Sequence, residues 1–270
     1  MNRYSGEFEV TQLSVREDGW KNHDFSQYDS VFHVAGIAHS DTGNASDETK
    51  ALYYRVNTDL TVEVAEKAKE MGVQQFIFMS SIIVYGDSAP VGQRKLITKD
   101  TIPHPDNFYG DSKLQAEVKL QTLGTKDFKI AIVRPPMIYG KGSKGNYPKL
   151  AKLAKISPLF PNIENERSML HIDNLCEFIR LLIEERDNGI FTPQNKKHVK
   201  TSDLVVAIGE VHDKKVKLTK SFNGTLRVLA NKIGLINKVF GNLSYEQSMS
   251  NYHRDYNIRT FKESVELTEG

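Results

Sequence analysis

The chain has 270 residues, of which 39% are hydrophobic and 26% charged, and its net charge is +2. This composition is typical of a globular protein and excludes collagen, long coiled coils and general disorder. A single cysteine, Cys176, excludes an internal disulfide, and we expect no metal site and a reducing, cytoplasmic location. No apolar run reaches the ~20 residues that span a bilayer, so we expect no membrane partner.

The hydrophobic pattern predicts strands and helices in alternation. Residues 8–15 (FEVTQLSV) alternate apolar and polar side chains, as a half-buried strand does. Further strands are predicted at 30–35, 75–84 and 129–134, and helices at 47–71, 109–123 and 173–186. Continuous apolar strands that alternate with helices favour a doubly wound α/β fold, a parallel sheet with helices on both faces.

The composition changes after Gly140, where Gly, Lys, Pro and Asn dominate to about Asn165. We therefore expect residues 1–140 to form the sheet domain. Residues 141–270 are expected to form mainly a smaller lobe, interleaved with the end of the sheet.

The strongest local candidate for chemistry is Tyr109 with Lys113 at the start of a predicted helix. Residues four apart share one helical face, and an ammonium beside a phenol lowers the phenol's pKa. Such a phenol is an acid or base suited to an alcohol or a sugar hydroxyl. Taken alone, the pair is more often merely solvated.

Two strand ends supply further candidates. Ser80 and Ser81 follow the strand QFIFM, and Ala35 and Gly36 follow VFHV. Open α/β sheets bind ligands at the carboxyl ends of their strands. Each pair could equally be a turn. The nearby histidines lack the acidic or thiol neighbours of a metal site.

Together these pieces resemble the extended short-chain dehydrogenase/reductase family, of the nucleotide-sugar epimerase and dehydratase type. The matching segments are VFHVAG, RVNTDLTVEVAEKAKEMGV, FIFMSSIIVYGD, YGDSK, IVRPPMIYGKG and RSMLHIDNL, between residues 24 and 186. The resemblance implies a Rossmann-like cofactor domain at 1–140 and a substrate-binding lobe at 141–270. The stretch from Phe240 to Thr268 is similar to the tail of bacterial polysaccharide-synthesis members.

The resemblance also implies roles for individual residues. Tyr109 would exchange a proton with the sugar, Lys113 would hold the nicotinamide ribose, and Ser81 would hydrogen-bond the reacting oxygen. With Tyr109 and Lys113, the implied cofactor-binding residues are Asp24, Phe25, Val34, Ala35, Gly36, Asn57, Ser80 and Pro136. The implied substrate-binding residues are His39, Asn146 and Arg167, the last as a clamp on a nucleotide-sugar diphosphate.

The chain departs from the family in lacking a glycine-rich turn before Phe8, so we expect the first β-α unit to be missing. As a truncated or degenerate member, it is expected to be poorly stable or to aggregate alone. A GxGxxG does occur at 140–145, but it comes after the Tyr-Lys pair and lacks a following β-α-β unit with an acidic residue. We interpret it as a loop.

The reaction type follows from the residues after Ser81. Dehydratases of this family carry Asp-Glu there, whereas this chain has Ile82 and Ile83, which cannot transfer protons. Met137 stands where galactose epimerases tend to have Asn. The resemblance then favours an NAD-dependent 4-epimerase acting on a UDP-linked sugar in polysaccharide synthesis.

Several alternatives stay open. They are an NAD(P)H-dependent 4-ketoreductase and a non-catalytic fragment unable to bind cofactor. After the predicted strand at 8–15, the acidic Glu17 and Asp18 favour the ribose 2′-OH of NAD, whereas Arg16 could accept the 2′-phosphate of NADP, so NADP stays open. Relatives suggest a homodimer formed by the helices at 47–71 and 109–123. No nucleic-acid partner is expected, because the Lys-rich stretch 141–155 also suits a diphosphate.

Overall fold

A computed structural model of the protein describes residues 6–38, 45–230 and 234–270. Its strands are β1 (Ser30–His33), β2 (Gln75–Met79), β3 (Leu96–Ile97), β4 (Lys129–Val133), β5 (Met137–Tyr139), β6 (Leu159–Pro161), β7 (Met169–His171), β8 (Gly189–Phe191), β9 (Lys217–Thr219) and β10 (Ser244–Tyr245). Its α-helices are α1 (Asp47–Tyr54), α2 (Leu60–Glu70), α3 (Phe108–Leu123), α4 (Asn146–Ile156), α5 (Ile172–Glu185), α6 (Thr201–Val211), α7 (Asn223–Ala230), α8 (Gly234–Phe240) and α9 (Phe261–Glu269).

The chain divides into two compact units. The first contains residues 1–86, 103–134 and 176–191, and the second contains residues 87–102, 135–175 and 192–270. In the described part of the first unit, a parallel sheet has the strand order β1-β2-β4-β8. The predicted α/β class with a parallel sheet is thereby confirmed.

The core of the first unit lies between the sheet and helices α2 and α3. Its apolar side chains include Trp20, Phe25, Val64, Ala68, Phe76, Phe78, Leu120, Phe128 and Ile132. Strand β2 has four buried residues followed by one that is half-buried, and this explains why a continuous apolar run encodes it. Gln75, fully buried, donates through Nε2 to the carbonyl oxygens of Leu182 and Asp187 at 2.8 and 2.9 Å, which satisfies its amide.

Several predicted elements are confirmed. The helix expected at 47–71 forms as α1 and α2, joined through a π-helical turn at Arg55–Asp59, and Gly72 ends it with φ +82°. Helix α3 and strand β4 lie where the periodicity placed them. The strand expected at 75–84 stops at Met79, because Ser81 instead caps a 3₁₀-helix at Ile82–Tyr85.

The strand predicted at 8–15 is wrong. The structure describes this segment as irregular, with Val10 and Leu13 exposed to 39% and 37%. Alternation shows only that side chains could face opposite sides. A strand also needs a hydrogen-bonded neighbour, and none pairs with this segment among the described residues.

The second unit is built from helices and three short parallel strand pairs in its described residues, β3 with β10, β5 with β7 and β6 with β9. Its core includes Tyr139, Tyr147, Leu150, Phe160, Met169, Leu204, Val205, Ile208 and Val265. Helix α9 begins at a capping box in which Thr260 and Glu263 bond reciprocally. The C-terminal residues are thereby ordered against this core.

Candidate functional site

The predicted catalytic residues gather at the carboxyl ends of β1 and β2 in the first unit. Ser81 follows β2 by two residues, and its Oγ accepts a hydrogen bond from the Ile83 amide at 3.3 Å. This bond starts the 3₁₀-helix and holds the Ser81 hydroxyl at the strand's end. Because β1 runs parallel to β2, the Ala35–Gly36 turn reaches the same edge of the sheet.

The start of α3 brings Tyr109 to Ser81. Asn107 caps the helix by accepting from the Gly110 amide at 3.0 Å. A Cβ at Gly110 would lie only 2.8 Å from the Ile83 carbonyl oxygen, so glycine permits this close approach. This brings the Tyr109 phenol close enough to the Ser81 side chain for Ser81 to act on the phenol's pKa.

The pKa of Tyr109 differs from the sequence-based expectation. Burial raises the pKa of the phenol, while the hydrogen bond with Ser81 acts in the opposite direction and Tyr53 adds to the rise. The expected lowering by Lys113 is absent from these causes. The reason is that the Lys113 ammonium is directed at the Met79 carbonyl oxygen.

Lys113 is buried, with 5% of its surface exposed. Its Nζ donates to the Met79 carbonyl oxygen at 2.9 Å and lies 4.6 Å from the centre of the Phe78 ring. Burial lowers the pKa of Lys113 to about 8, and Glu117 partly opposes the shift. The amine therefore lies against the last residue of β2 and is shielded from solvent.

Asn57 ties the turn after β1 to the helices. Its side chain accepts from the Ile37 amide at 2.8 Å and donates to the Ile37 carbonyl oxygen at 3.1 Å and to Ser112 Oγ at 3.0 Å. An added Cβ at Gly36 would come within 3.0 Å of both Asn57 Oδ1 and Lys113 Nζ. The polar atoms of these residues thus converge on a bare stretch of backbone.

A buried ion pair between Glu117 and Arg134 lies next to Ser80, the residue that directly follows β2. The Arg134 guanidinium contacts both Glu117 carboxylate oxygens, with Nε at 3.0 and 3.1 Å. Glu117 also accepts a hydrogen bond from the Ser80 hydroxyl, and Arg134 Nη1 donates to Tyr85 Oη at 2.6 Å. Sequence reasoning missed Glu117 and Arg134. The available signal was that Glu117 follows Lys113 by one helical turn.

The other predicted cofactor residues of this unit lie in varied surroundings. Val34 is 63% exposed at the end of β1, and Ala35 is half-buried. Phe25 is buried in the core, its amide donating to Met71 Sδ at 3.4 Å, while Asp24 is exposed and accepts from the Ser26 amide. His39 lies outside the described residues.

The second unit brings together two predicted substrate residues, Arg167 and Asn146. They line a small pocket with Met137, Leu150, Met169, Val199, Thr201, Leu204, Lys238 and Val239. Arg167 Nη1 donates to the Gly241 carbonyl oxygen at 3.1 Å, and Asn146 Nδ2 to that of Lys238 at 3.4 Å. Lys238 was missed by sequence reasoning.

The Arg167 guanidinium lies in a partly desolvated environment. Burial lowers the pKa of its guanidinium to about 10, and no carboxylate is among the causes of the shift. No ion pair of Arg167 with an acidic side chain occurs within residues 6–38, 45–230 and 234–270. A half-buried guanidinium without a carboxylate suits a phosphate group. Pro136 belongs to the same unit and is buried directly before β5.

The GxGxxG at 140–145 is a loop between β5 and α4, as expected. The strands on either side, β5 and β6, belong to different sheets, so the segment lacks the β-α-β crossover of a dinucleotide-binding turn. A Cβ at Gly140 would lie 2.5 Å from Ile172 Cγ2. Packing against β7 and α5 explains that glycine.

A model of the NAD-dependent epimerase/dehydratase family matches residues 3–192. The chain belongs to this family. A curated relative, UDP-glucose 4-epimerase of Vibrio cholerae, is 35% identical over 190 residues, which are 68% of this chain and 57% of the relative. A second, the N-acetyl-α-D-glucosaminyl-diphospho-ditrans,octacis-undecaprenol 4-epimerase of Escherichia coli O157:H7, is 29% identical over 77% of this chain and 62% of its own length.

The fold of this family member is also found in solved structures. UDP-glucuronic acid 4-epimerase from Bacillus cereus, in complex with NAD, superposes with a TM-score of 0.68 at 18% identity. The match covers 94% of this chain and 78% of that one. The identification as an extended short-chain dehydrogenase/reductase is confirmed, while the chain spans about three fifths of the length of the two curated relatives.

Proposed function

We propose that this protein is an NAD-dependent 4-epimerase of sugars linked through a diphosphate. The observation that carries the proposal is that Ser81, Tyr109 and the buried amine of Lys113 all lie at the carboxyl end of β2. A phenol, a hydroxyl and an ammonium at the end of a parallel strand suit proton exchange with a sugar hydroxyl. The relatives from V. cholerae and E. coli, both named as 4-epimerases, support this reaction.

The residues present fit the nicotinamide half of the cofactor. Gly36 leaves backbone open beside Asn57 and Lys113, and Val34 offers exposed apolar surface next to it. Lys113 would hold the ribose hydroxyls. Ser80, Ala35 and Asn57 would form the protein surface against which the nicotinamide ribose lies. Bound NAD would supply the acceptor and donor of hydride at sugar C4.

The protein's own residues would move the proton. Tyr109 Oη accepts the proton of the sugar O4 hydroxyl as the C4 carbonyl forms, and gives it back when the hydride returns. Ser81 donates a hydrogen bond to the same oxygen. Because burial raises the pKa of Tyr109 and Ser81 acts against that rise, formation of the phenolate would depend on the groups that lie beside the phenol once substrate and cofactor are bound. No net oxidation or reduction results.

The second unit would bind the diphosphate. Arg167 has guanidinium donors left beside its bond to Gly241, and Lys238 is among the residues that line the same pocket. Both groups favour phosphate oxygens. The V. cholerae relative is named for a UDP-sugar and the E. coli relative for a polyprenyl diphosphate sugar, and a sugar diphosphate is common to both.

The alternatives predict other outcomes. A 4-ketoreductase would consume NADH or NADPH with a 4-keto sugar, and a non-catalytic fragment would bind no cofactor. Assays with NAD and NADP, and with UDP-glucose, UDP-N-acetylglucosamine and polyprenyl-diphospho-N-acetylglucosamine, separate these cases. The localisation in the cytoplasm and the homodimer remain part of this proposal.

The test is Tyr109→Phe with Tyr28→Phe as matched control. We expect Tyr109→Phe to bind NAD with unchanged affinity by calorimetry and to lose on the order of 10²- to 10⁴-fold in turnover. Tyr28, whose phenol contacts His23 at 2.9 Å, lies in neither predicted binding set, and its variant should keep full turnover. Equal turnover of both variants would refute the assignment.

A further inference from the structure

The charge of the chain is strongly uneven. Two segments, residues 141–163 and 214–245, together contain twelve Lys and Arg and not one Asp or Glu. The rest of the chain has 24 basic and 34 acidic residues, a net charge of −10. We call these two stretches the basic segments. A net charge of +2 for the whole molecule therefore conceals a concentrated positive charge.

The fold pairs the basic segments with each other. Strand β6 of the first segment runs parallel to β9 of the second, with Leu159 opposite Lys217. Just beyond this pair, Asn223 Nδ2 donates to the Asn162 carbonyl oxygen at 2.9 Å, which anchors the start of α7. Helix α4 leads directly into β6 and packs with its inner face against α6.

The basic segments also expose large apolar side chains. They are Leu153 (41%), Ile156 (67%), Leu159 (47%), Leu218 (36%), Phe222 (48%), Val228 (65%) and Leu229 (37%). On α4, Leu153 and Ile156 alternate with the exposed Lys149 and Lys152. Lysines between protruding apolar residues are typical of surfaces that lie in the interface of an anionic membrane.

A nucleic acid fits this surface less well. Binding of exposed bases uses stacking on aromatic rings. Of the aromatic residues in the basic segments, Phe222 is exposed, whereas Tyr147, Phe160, Phe240 and Tyr245 are all buried. Exposed aliphatic side chains have no partner on a phosphate backbone, but they enter the acyl region of a lipid layer.

We propose that the basic segments bind the surface of a membrane rich in anionic phospholipid. No helix in the described part of the chain is long and apolar enough to cross a bilayer, so the contact would be peripheral. The sequence-based expectation of no membrane partner rested on the same lack of a spanning run and did not consider surface binding. This inference goes beyond the proposed reaction and does not depend on it.

The experiment is co-sedimentation of the full 270-residue chain with vesicles. Vesicles of phosphatidylcholine alone are compared with vesicles that also contain phosphatidylglycerol, at low and high salt. We expect binding to the anionic vesicles that high salt weakens. No binding to them, or equal binding to both vesicle types, would overturn the proposal.

Charge variants locate the contact. Each basic residue near an anionic surface strengthens binding roughly fivefold, so Lys149→Gln with Lys152→Gln and Lys217→Gln should weaken it on the order of a hundredfold. The control combines Lys99→Gln, Lys126→Gln and Lys262→Gln, three exposed lysines outside the basic segments. Equal loss in both triple variants would contradict a local site. Lys155 is left unchanged because it pairs with Glu269 at 2.8 Å.

Apolar variants separate a membrane from a nucleic acid. Ile156→Ser with Val228→Ser should weaken vesicle binding at least tenfold, whereas Ile102→Ser with Ile258→Ser, exposed elsewhere, should leave it unchanged. All four side chains are exposed, so thermal melts are expected to match those of the unaltered protein. Duplex DNA binding that depends on the same lysines, together with no vesicle binding, would overturn the proposal.

Discussion

The buried ammonium of Lys113 lies near a carboxylate that raises its pKa, that of Glu117. Glu117 on the same helix acts on the pKa of Lys113, and Lys113 in turn acts on the pKa of His33 on β1. Burial and the charge of Lys113 lower the pKa of His33 to about 3, so this imidazole is neutral at physiological pH. Glu117 is therefore the neighbour that favours the ammonium form, while burial favours the neutral amine.

This environment makes folding stability depend on pH. The pKa of Lys113 falls from 10.5 to about 8 in the folded protein, so between these values the unfolded chain binds more protons. Stability should then rise with pH in that window, by at most about 1.4 kcal/mol per pH unit. Below pH 8 both states hold the proton, and Lys113 adds no pH dependence.

Urea unfolding of the protein and of Lys113→Met at pH 7, 8, 9 and 10 measures this contribution. We expect the difference in unfolding free energy between the two proteins to change only above about pH 8. The same residue should make turnover fall above that pH, since the proposed contact with the ribose hydroxyls uses the ammonium form. Parallel stability curves across the whole range would contradict the prediction.

The Glu117–Arg134 pair should be strongly coupled, since both side chains are buried and removal of either leaves a charge without a partner. Glu117→Ala and Arg134→Ala are each expected to cost about 3–5 kcal/mol of unfolding free energy. The double variant should cost clearly less than the sum. The exposed pair Asp59–Lys119, at 3.2 Å, serves as control and should give at most about 1 kcal/mol of coupling.

At the scale of elements, Gly110 sets the distance between α3 and the 3₁₀-helix after β2. A Cβ there would lie 2.8 Å from the Ile83 carbonyl oxygen and 2.9 Å from Pro105 Cβ. Gly110→Ala should therefore cost about 1–3 kcal/mol and shift Tyr109 away from Ser81, with a fall in turnover. Gly19→Ala, with no atom within 4 Å, should be neutral in both measurements.

Chemical denaturation and turnover assays of the two glycine variants test this. An unaffected Gly110→Ala would show that the helix start can move without consequence. It would also weaken the argument that the close approach of α3 positions the phenol.

The elements that sequence patterns predicted well are those with local signals. Helices α2 and α3 have regular apolar spacing and end near Gly72 and Gly124, and β4 is a continuous apolar run. The 8–15 segment shows the limit, since strand formation depends on a neighbour elsewhere in the chain. The 3₁₀-helix at Ile82–Tyr85 could not be distinguished from a strand, because apolar residues continue from β2 past Ser81 into this helix.

Candidate site residues were predicted by type and position but not by environment. The proximity of Ser81 and Tyr109 agrees with the sequence interpretation. The raised pKa of Tyr109 could not be foreseen, because it depends on burial that is created only when α3 packs on the sheet. The position of Lys238 in the pocket could not be predicted from the sequence either, since the pocket is lined by residues that are far apart in the chain.

At the scale of the whole molecule, each unit has its own apolar core and its own share of the proposed chemistry. The first unit contains Ser81, Tyr109 and Lys113, and the second contains Arg167, Lys238 and the basic segments. The proposed reaction assigns proton transfer to residues of the first unit and diphosphate binding to residues of the second. A cofactor-binding measurement alone would therefore test only half of the account.

The most direct test of 4-epimerisation follows the hydrogen at C4. UDP-glucose, UDP-N-acetylglucosamine and polyprenyl-diphospho-N-acetylglucosamine, each deuterated at C4, are incubated with the protein and NAD and analysed by NMR. We expect at least one to be converted to its 4-epimer with deuterium retained at C4 and no net change in NAD. Stoichiometric consumption of NADH with a 4-keto sugar, or no conversion of any of the three, would contradict it.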